Sequence, residues 1–413
     1  MLPPGASLRV NAIGAGPRQC GSAFAGGYGR FTACVPAKLP PSPRRLRAMD
    51  DRPQRWNFRP HPLLRGGHVQ TFAGIYLPRR DRPYAATRHL VPCDATPPHD
   101  GGDQLVLHED RPAAWREGEP VVLLIHGFAG CYASTYMTRM AERLVQRGYC
   151  VFRMDMRGCG EGRHVARKPT HCGAYADVGA AVRFIAGRYP DSPAMAVGFS
   201  LGGALCLGLL ADAGPCRVGN LQRVLAVCPP IDLFDVERRF EQRGGRPYDK
   251  FFVKLIWKQI LDRWQRYPEL APATIPPRPK RLKQIDETIV APAAGYAGAH
   301  DYYANTQVGP RLIEIEQPAT IIASADDPIV PTAPLLAYPR GESVEVIIAE
   351  GGGHLGFIGD TRVTLDPDYR WLDWRIIDWV EGVALNGAAT HQSELTESTD
   401  DSAAVAAGET AGA

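Results

Sequence analysis

Ala194-Met-Ala-Val-Gly-Phe-Ser-Leu-Gly-Gly203 is the stretch on which the reading turns. Residues 194–197 are an apolar run of strand length, and residues 201–210 read as a helix. Between them, Gly198-Phe-Ser-Leu-Gly202 must carry the chain from strand into helix within a few residues. Small residues on both sides of Ser200 permit that reversal and leave its hydroxyl exposed on a strained elbow. The helix that begins immediately afterwards aims free N–H groups and its positive dipole end at the same place. A Gly-rich packing turn would use similar residues, but the strand-to-helix context favours a nucleophile.

Outward from this elbow the pattern alternates. Val121–Ile125 is a continuous apolar run, read as a buried strand. Residues 149–152, 224–227, 320–322 and 344–348 are further strands. Residues 135–147, 176–188 and 371–380 carry apolar positions at helical spacing. Strands alternating with helices predict an α/β chain, with a mostly parallel central sheet and helices on both faces. The interval from Pro229 to Pro318 is too long for a structureless connection. Its amphipathic stretch, Lys250 to Leu261, predicts a helical insertion at about 235–310 that lies as a lid over the sheet. Lid packing is the preferred use of the lysine-bearing helix, ahead of contact with a membrane surface.

A serine needs a base, and the base needs an orienting acid. His354 lies in Gly351-Gly-Gly-His-Leu-Gly356, directly after the last strand, and is the candidate base. His300 is weaker, and His391 falls in a polar tail. The acid is expected after the preceding strand, in Ser324-Ala-Asp-Asp-Pro-Ile-Val-Pro331. Asp327 is preferred over Asp326, whose expected task is to hydrogen-bond the loop, and Asp232 is a distant third. The backbone N–H groups of Leu201 and Phe128 are the candidate oxyanion donors. His126 is read as structural. Cys159, His164, His171 and Cys172 share one loop, but their spacing fits no usual zinc pattern and Arg163, Arg167 and Lys168 surround them, so no metal and no cofactor is expected. Trp371, Trp374 and Ile377 read as a core-facing stripe rather than a ligand cage.

The chain has 413 residues, 45% hydrophobic and 22% charged, a globular profile that needs no covalent staples. Its net charge of +3 is uneven: residues 1–48 hold seven basic residues and no acid, which leaves −4 for the rest. That segment is expected to be disordered, either an Arg-rich targeting peptide or, the preferred reading, sequence ahead of a true start at Met49. The structured unit is expected over 49–389, followed by a solvated tail at 390–413. No basic stripe argues for nucleic acid, and no apolar stretch is long enough to span a membrane. Ten scattered cysteines without a CxxC pair suit free thiols in a reducing compartment, so the cytoplasm is the expected location.

Together His126-Gly-Phe-Ala-Gly130, Arg157-Gly-Cys159, Gly198-Phe-Ser-Leu-Gly-Gly203, Asp326-Asp-Pro328 and Gly352-Gly-His-Leu-Gly-Phe357 resemble the YheT-like branch of the α/β-hydrolases. So do Gly66-Gly-His-Val-Gln-Thr71 and Gly295-Tyr-Ala-Gly-Ala-His-Asp-Tyr-Tyr303, and the likeness runs from about residue 58 to 383. The resemblance implies carboxylesterase-like activity with a Ser-Asp-His triad on Ser200, Asp327 and His354 but supplies no physiological substrate; a small-molecule ester, carboxylic or lipid-like, is the expected substrate. For Gly66-Gly-His68 and Tyr302-Tyr303, packing around the lid is expected. Acyl transfer to an alcohol with the same triad, and a ligand-binding protein without catalysis, stay open beside hydrolysis. Serine at the elbow argues against dehalogenase and epoxide-hydrolase chemistry, which use aspartate there.

Overall fold

The computed structural model describes residues 56–77, 86–93, 102–363 and 366–382. The expectations for residues 1–48 and 390–413 lie outside these. Eight strands make one sheet: β1 (Thr87–Pro92), β2 (Gln104–Asp110), β3 (Val121–Ile125), β4 (Cys150–Asp155), β5 (Ala194–Phe199), β6 (Leu221–Val227), β7 (Ala319–Ser324) and β8 (Val344–Ala349). Their spatial order is β1-β2-β4-β3-β5-β6-β7-β8. β2 pairs antiparallel with β1 and β4, and all other pairings are parallel.

The helices that matter for the site are α1 (Gly67–Tyr76), α2 (Thr135–Val145), α3 (Tyr175–Arg188), α4 (Leu201–Ala213), α5 (Leu233–Glu241), α6 (Arg246–Arg266), α7 (Ala299–Thr306) and α8 (Trp371–Val380). Strand side chains alternate between two cores, as the pleat requires. Val121, Leu123 and Ile125 join α3 and α4 in one core. Val122 and Leu124 join α2 and α8 in the other, which also holds Trp371 and Ile377. This is why β3, β4 and β5 are buried along their whole length; β3 and β5 read as unbroken apolar runs, whereas β4 also carries Arg153 and Asp155.

β1, β2 and α1 were not legible in the sequence. The last three residues of β2, His108-Glu-Asp110, look like a polar turn but are buried. Arg153 on β4 donates to both carboxylate oxygens of Asp110 at 2.7 and 3.1 Å, and Tyr189 donates to Glu109 at 2.5 Å. Charged partners from another strand let a charged segment sit inside a sheet.

Between β6 and β7 the chain forms α5, α6, a helical run from Leu282 to Ala293 with a π turn at Asp286–Val290, then α7. These pack through small apolar clusters of their own. α6 extends the expected amphipathic stretch at both ends, and Lys250, Lys254 and Lys258 face solvent.

Candidate active site

The site lies at the carboxyl ends of the parallel strands, where β3, β5, β7 and β8 each release one loop. Ser200 directly follows β5 and caps α4 with φ 51° and ψ −119°, a backbone conformation that costs a non-glycine residue on the order of 1–3 kcal/mol. The neighbours impose it. A Cβ on Gly198 would stand 2.4 Å from the carbonyl oxygen of Gly202, and one on Gly202 would stand 2.6 Å from that of Ile125. The Ser200 N–H is also fastened to the carbonyl of Val227 at 2.7 Å. The elbow is therefore wedged between β3, β6 and its own helix.

The loops after β7 and β8 bring two more side chains to this point. His354 Nε2 is 3.0 Å from Ser200 Oγ, and His354 Nδ1 is 2.7 Å from Asp327 Oδ2. Asp327 Oδ1 accepts from the backbone N–H groups of Ile329 and Val330 at 2.8 and 2.9 Å. With Oδ1 occupied, Oδ2 is the oxygen left for the imidazole. It accepts a hydrogen bond from Nδ1–H, the tautomer that leaves the Nε2 lone pair toward the serine hydroxyl. The carboxylate is 2% exposed and the imidazole 8%, so water competes little for either bond.

The other candidate acids are occupied elsewhere. Asp326 accepts from Ser324 Oγ at 2.7 Å and from the Gly353 N–H at 2.8 Å, tying the two loops together. Asp232 caps α5 through the Asp235 N–H and accepts from the Tyr338 hydroxyl. His126 is buried, with burial lowering its pKa, and accepts from the Met156 N–H at 3.3 Å. Cys159, His164, His171 and Cys172 form no metal-spaced group among the described residues. The group that does is Cys228, Asp327 and His354, of which the last two are bonded to each other.

Phe128, after β3, and Leu201, at the first turn of α4, line one cavity with Ser200. Neither backbone N–H has a hydrogen-bond acceptor among the described residues. The β3 loop passes so close to the elbow that a Cβ on Gly127 would lie 3.1 Å from the Ser200 Cβ. The Gly127 N–H donates to the Tyr136 hydroxyl at 2.8 Å, which holds the loop from below.

A family model described as the alpha/beta hydrolase fold matches residues 120–361, which span this whole arrangement. The chain belongs to the α/β-hydrolase family. Among its relatives, YheT of Escherichia coli (strain K12), named as a candidate esterase, is 30% identical over 285 residues, covering 68% of this chain and 82% of that one. Monoacylglycerol lipase ABHD2 of Homo sapiens is 24% identical over 386 residues, covering 85% and 88%. The esterase Pf2001 of Pyrococcus furiosus has a similar structure, with TM-score 0.45 and 16% identity over 79% of this chain and 98% of that one.

In this hydrolase the Gly66-Gly-His-Val-Gln-Thr71 motif has a task that sequence reasoning missed. It opens α1, and α1 grips the loop that carries His354. Thr71 Oγ1 accepts from the His354 N–H at 2.8 Å. Gln70 Oε1 accepts from the Ile358 N–H at 2.6 Å, while Gln70 Nε2 donates to the Ile358 carbonyl at 3.1 Å. Contact is close enough that a Cβ on Gly353 would lie 2.2 Å from the Gly67 carbonyl oxygen. The expectation of packing around the lid holds for His68, whose ring stacks on Tyr248 of the insertion with Nδ1 2.9 Å from the phenol oxygen, and for Tyr302 and Tyr303, buried within the insertion beside Leu233 and Ala299. Gln70 and Thr71 are both buried, although residues of these types are normally exposed, and nothing in the local sequence pattern announces it.

The cavity has a volume of about 230 Å³. The insertion roofs it, with Leu233, Phe240, Phe252, Ile256 and Ile260 among the lining side chains. Phe128 packs on Phe252 at a ring separation of 5.4 Å, which joins the roof to the β3 loop.

Proposed function

We propose that the protein is a serine esterase that cleaves small, lipid-like carboxylic esters through an acyl-enzyme. The reading is carried by the unbroken hydrogen-bond path from Ser200 to His354 to Asp327. Ser200 Oγ attacks the ester carbonyl as its proton passes to His354 Nε2. The oxygen that becomes negative is received by the N–H groups of Leu201 and Phe128, which have no other acceptor among the described residues. His354 then returns the proton to the departing alcohol. Water repeats the sequence on the acyl-enzyme and frees the acid. Asp327 holds the imidazole ring in place and stabilises the imidazolium. No step calls for a metal or a cofactor.

The substrate class follows from the apolar roof and from relatives named as esterase and monoacylglycerol lipase. Residues 235–310 act as the lid, which meets the β3 loop where Phe252 packs on Phe128. No described helix is long and apolar enough to cross a membrane. All eight described cysteines are free, which suits the reducing cytoplasm.

A fluorophosphonate probe tests this directly. It should label the native protein at Ser200, and Ser200→Ala should abolish both labelling and ester turnover, the latter by about 10⁴-fold or more. Labelling that persists in Ser200→Ala ends the proposal.

A further inference from the structure

One cation on the cavity wall has no hydrogen-bond or ion-pair partner among the described residues. Arg263 follows Phe252, Ile256 and Ile260 along α6 at helical spacing, so it falls on the face that lines the cavity. It is partly buried. Alone among the cavity-lining cations, it makes neither an ion pair nor a hydrogen bond among the described residues. Arg157 is bonded to Asp177 at 2.8 Å, Arg281 to Asp249 at 2.9 Å, Lys283 to Glu237 at 2.5 Å, and Arg163 to His164. Nearby acids do not serve it. Asp103 is committed to the N–H groups of Arg167 and Lys168 at 2.7 and 3.1 Å, and Asp262 faces Arg266 at 3.3 Å. Burial pulls the Arg263 pKa down, with only partial compensation from Cys159 and Asp103.

Partly buried charge without a counter-charge is costly, and proteins seldom retain it unless a ligand supplies the partner. A guanidinium fork matches a carboxylate or a phosphate. The distance along the helix is also defined. Phe252 packs on Phe128 of the β3 loop, and Arg263 lies eleven residues further along α6, about 16 Å at the helical rise. Ile256 and Ile260 lie between the two.

We propose that the cavity accepts an ester bearing an anionic group, carboxylate or phosphate, at the end remote from the scissile bond, and that Arg263 binds that group. The proposal rests on the esterase reading for its chemistry, not for its binding site. The hydrocarbon between the two ends lies along Ile256 and Ile260.

Two substrate pairs separate the sources of the anion. One compares aryl hemiesters of dicarboxylic acids with aryl esters of monocarboxylic acids of equal length. The other compares an acylglycerol phosphate with the uncharged acylglycerol. Wild type should favour the anionic member of at least one pair in kcat/KM. Arg263→Gln should lower kcat/KM for that member by about 10- to 100-fold, leaving the uncharged ester and the melting temperature unchanged, with partial retention in Arg263→Lys. A response in the first pair alone assigns a carboxylate, and in the second alone a phosphate. No preference in either pair, or equal slowing of charged and uncharged esters, overturns the proposal. Calorimetry of the same ligands on Ser200→Ala keeps the two readings apart. Binding that Arg263→Gln removes would uphold the anion site even if the native protein turned over no ester, and absence of binding would overturn it.

Discussion

The floor and the roof of the cavity are built on different principles. In the floor, polar groups are held by the backbone. Asp327 accepts two main-chain N–H bonds besides the imidazole, Asp326 accepts one from the histidine loop, and the His354 N–H itself is held by Thr71. In the roof, cohesion comes mainly from apolar contacts such as those of Val253, Ile256, Trp257, Ile260 and Trp264. A buried acid of the roof, Asp286, sits in a π turn and accepts from the Tyr303 hydroxyl at 2.6 Å. Backbone hydrogen bonds are directional and fix positions within tenths of an ångström, whereas apolar packing tolerates sliding. A floor that must hold a 3.0 Å nucleophile–base contact uses the first, and a roof that must admit substrate uses the second.

The comparison is sharpest at the two adjacent aspartates. Asp327→Asn should cost about 10⁴-fold in kcat, because the amide cannot impose the Nδ1–H tautomer on His354. Asp326→Asn should cost no more than about 10- to 100-fold, since it loosens a loop without touching the imidazole. Steady-state turnover of an activated ester decides this, and a reversed ranking would move the acid to Asp326.

Thr71→Val tests whether α1 positions the base. It leaves the buried His354 N–H without an acceptor, a penalty of about 1–3 kcal/mol. We expect kcat to fall about tenfold with KM unchanged, and Thr71→Ser to restore it. Equal loss in Val and Ser variants, or a change confined to KM, would remove Thr71 from the floor.

The roof should be the more pH-sensitive region. Burial pushes the Asp286 carboxyl up to about 7 from its ordinary 3.8, partly offset by the Tyr303 hydroxyl. The folded chain therefore keeps a proton that the unfolded chain loses. Stability from this group is full below pH 3.8, declines as pH rises toward about 7, and is level above that. Asp286→Asn should flatten this part of the profile of denaturation midpoint against pH. A slope unchanged by the substitution would assign the effect to other groups.

Much of the frame was readable from residue order. Gly198-Phe-Ser-Leu-Gly202 between a strand and a helix admits few geometries, because glycines are needed where any Cβ would meet backbone. The central strands β3 and β5 announce themselves as unbroken apolar runs, and helix α8 has the bounds expected for it. The candidate site was legible to the same degree, since Ser200, Asp327 and His354 each follow a strand that the pattern reveals. β2 was hidden because its buried charges find their partners 43 residues away, at Arg153.

The sequence by itself determined which side chains stand at strand ends, since periodicity and glycine placement are local properties of the chain. Only the tertiary structure decided which of two aspartates faces the imidazole, that Gln70 and Thr71 hold its loop, and that Arg263 has no hydrogen-bond or ion-pair partner among the described residues. Those outcomes depend on hydrogen bonds and charges brought together from distant segments, and no local pattern encodes such a meeting.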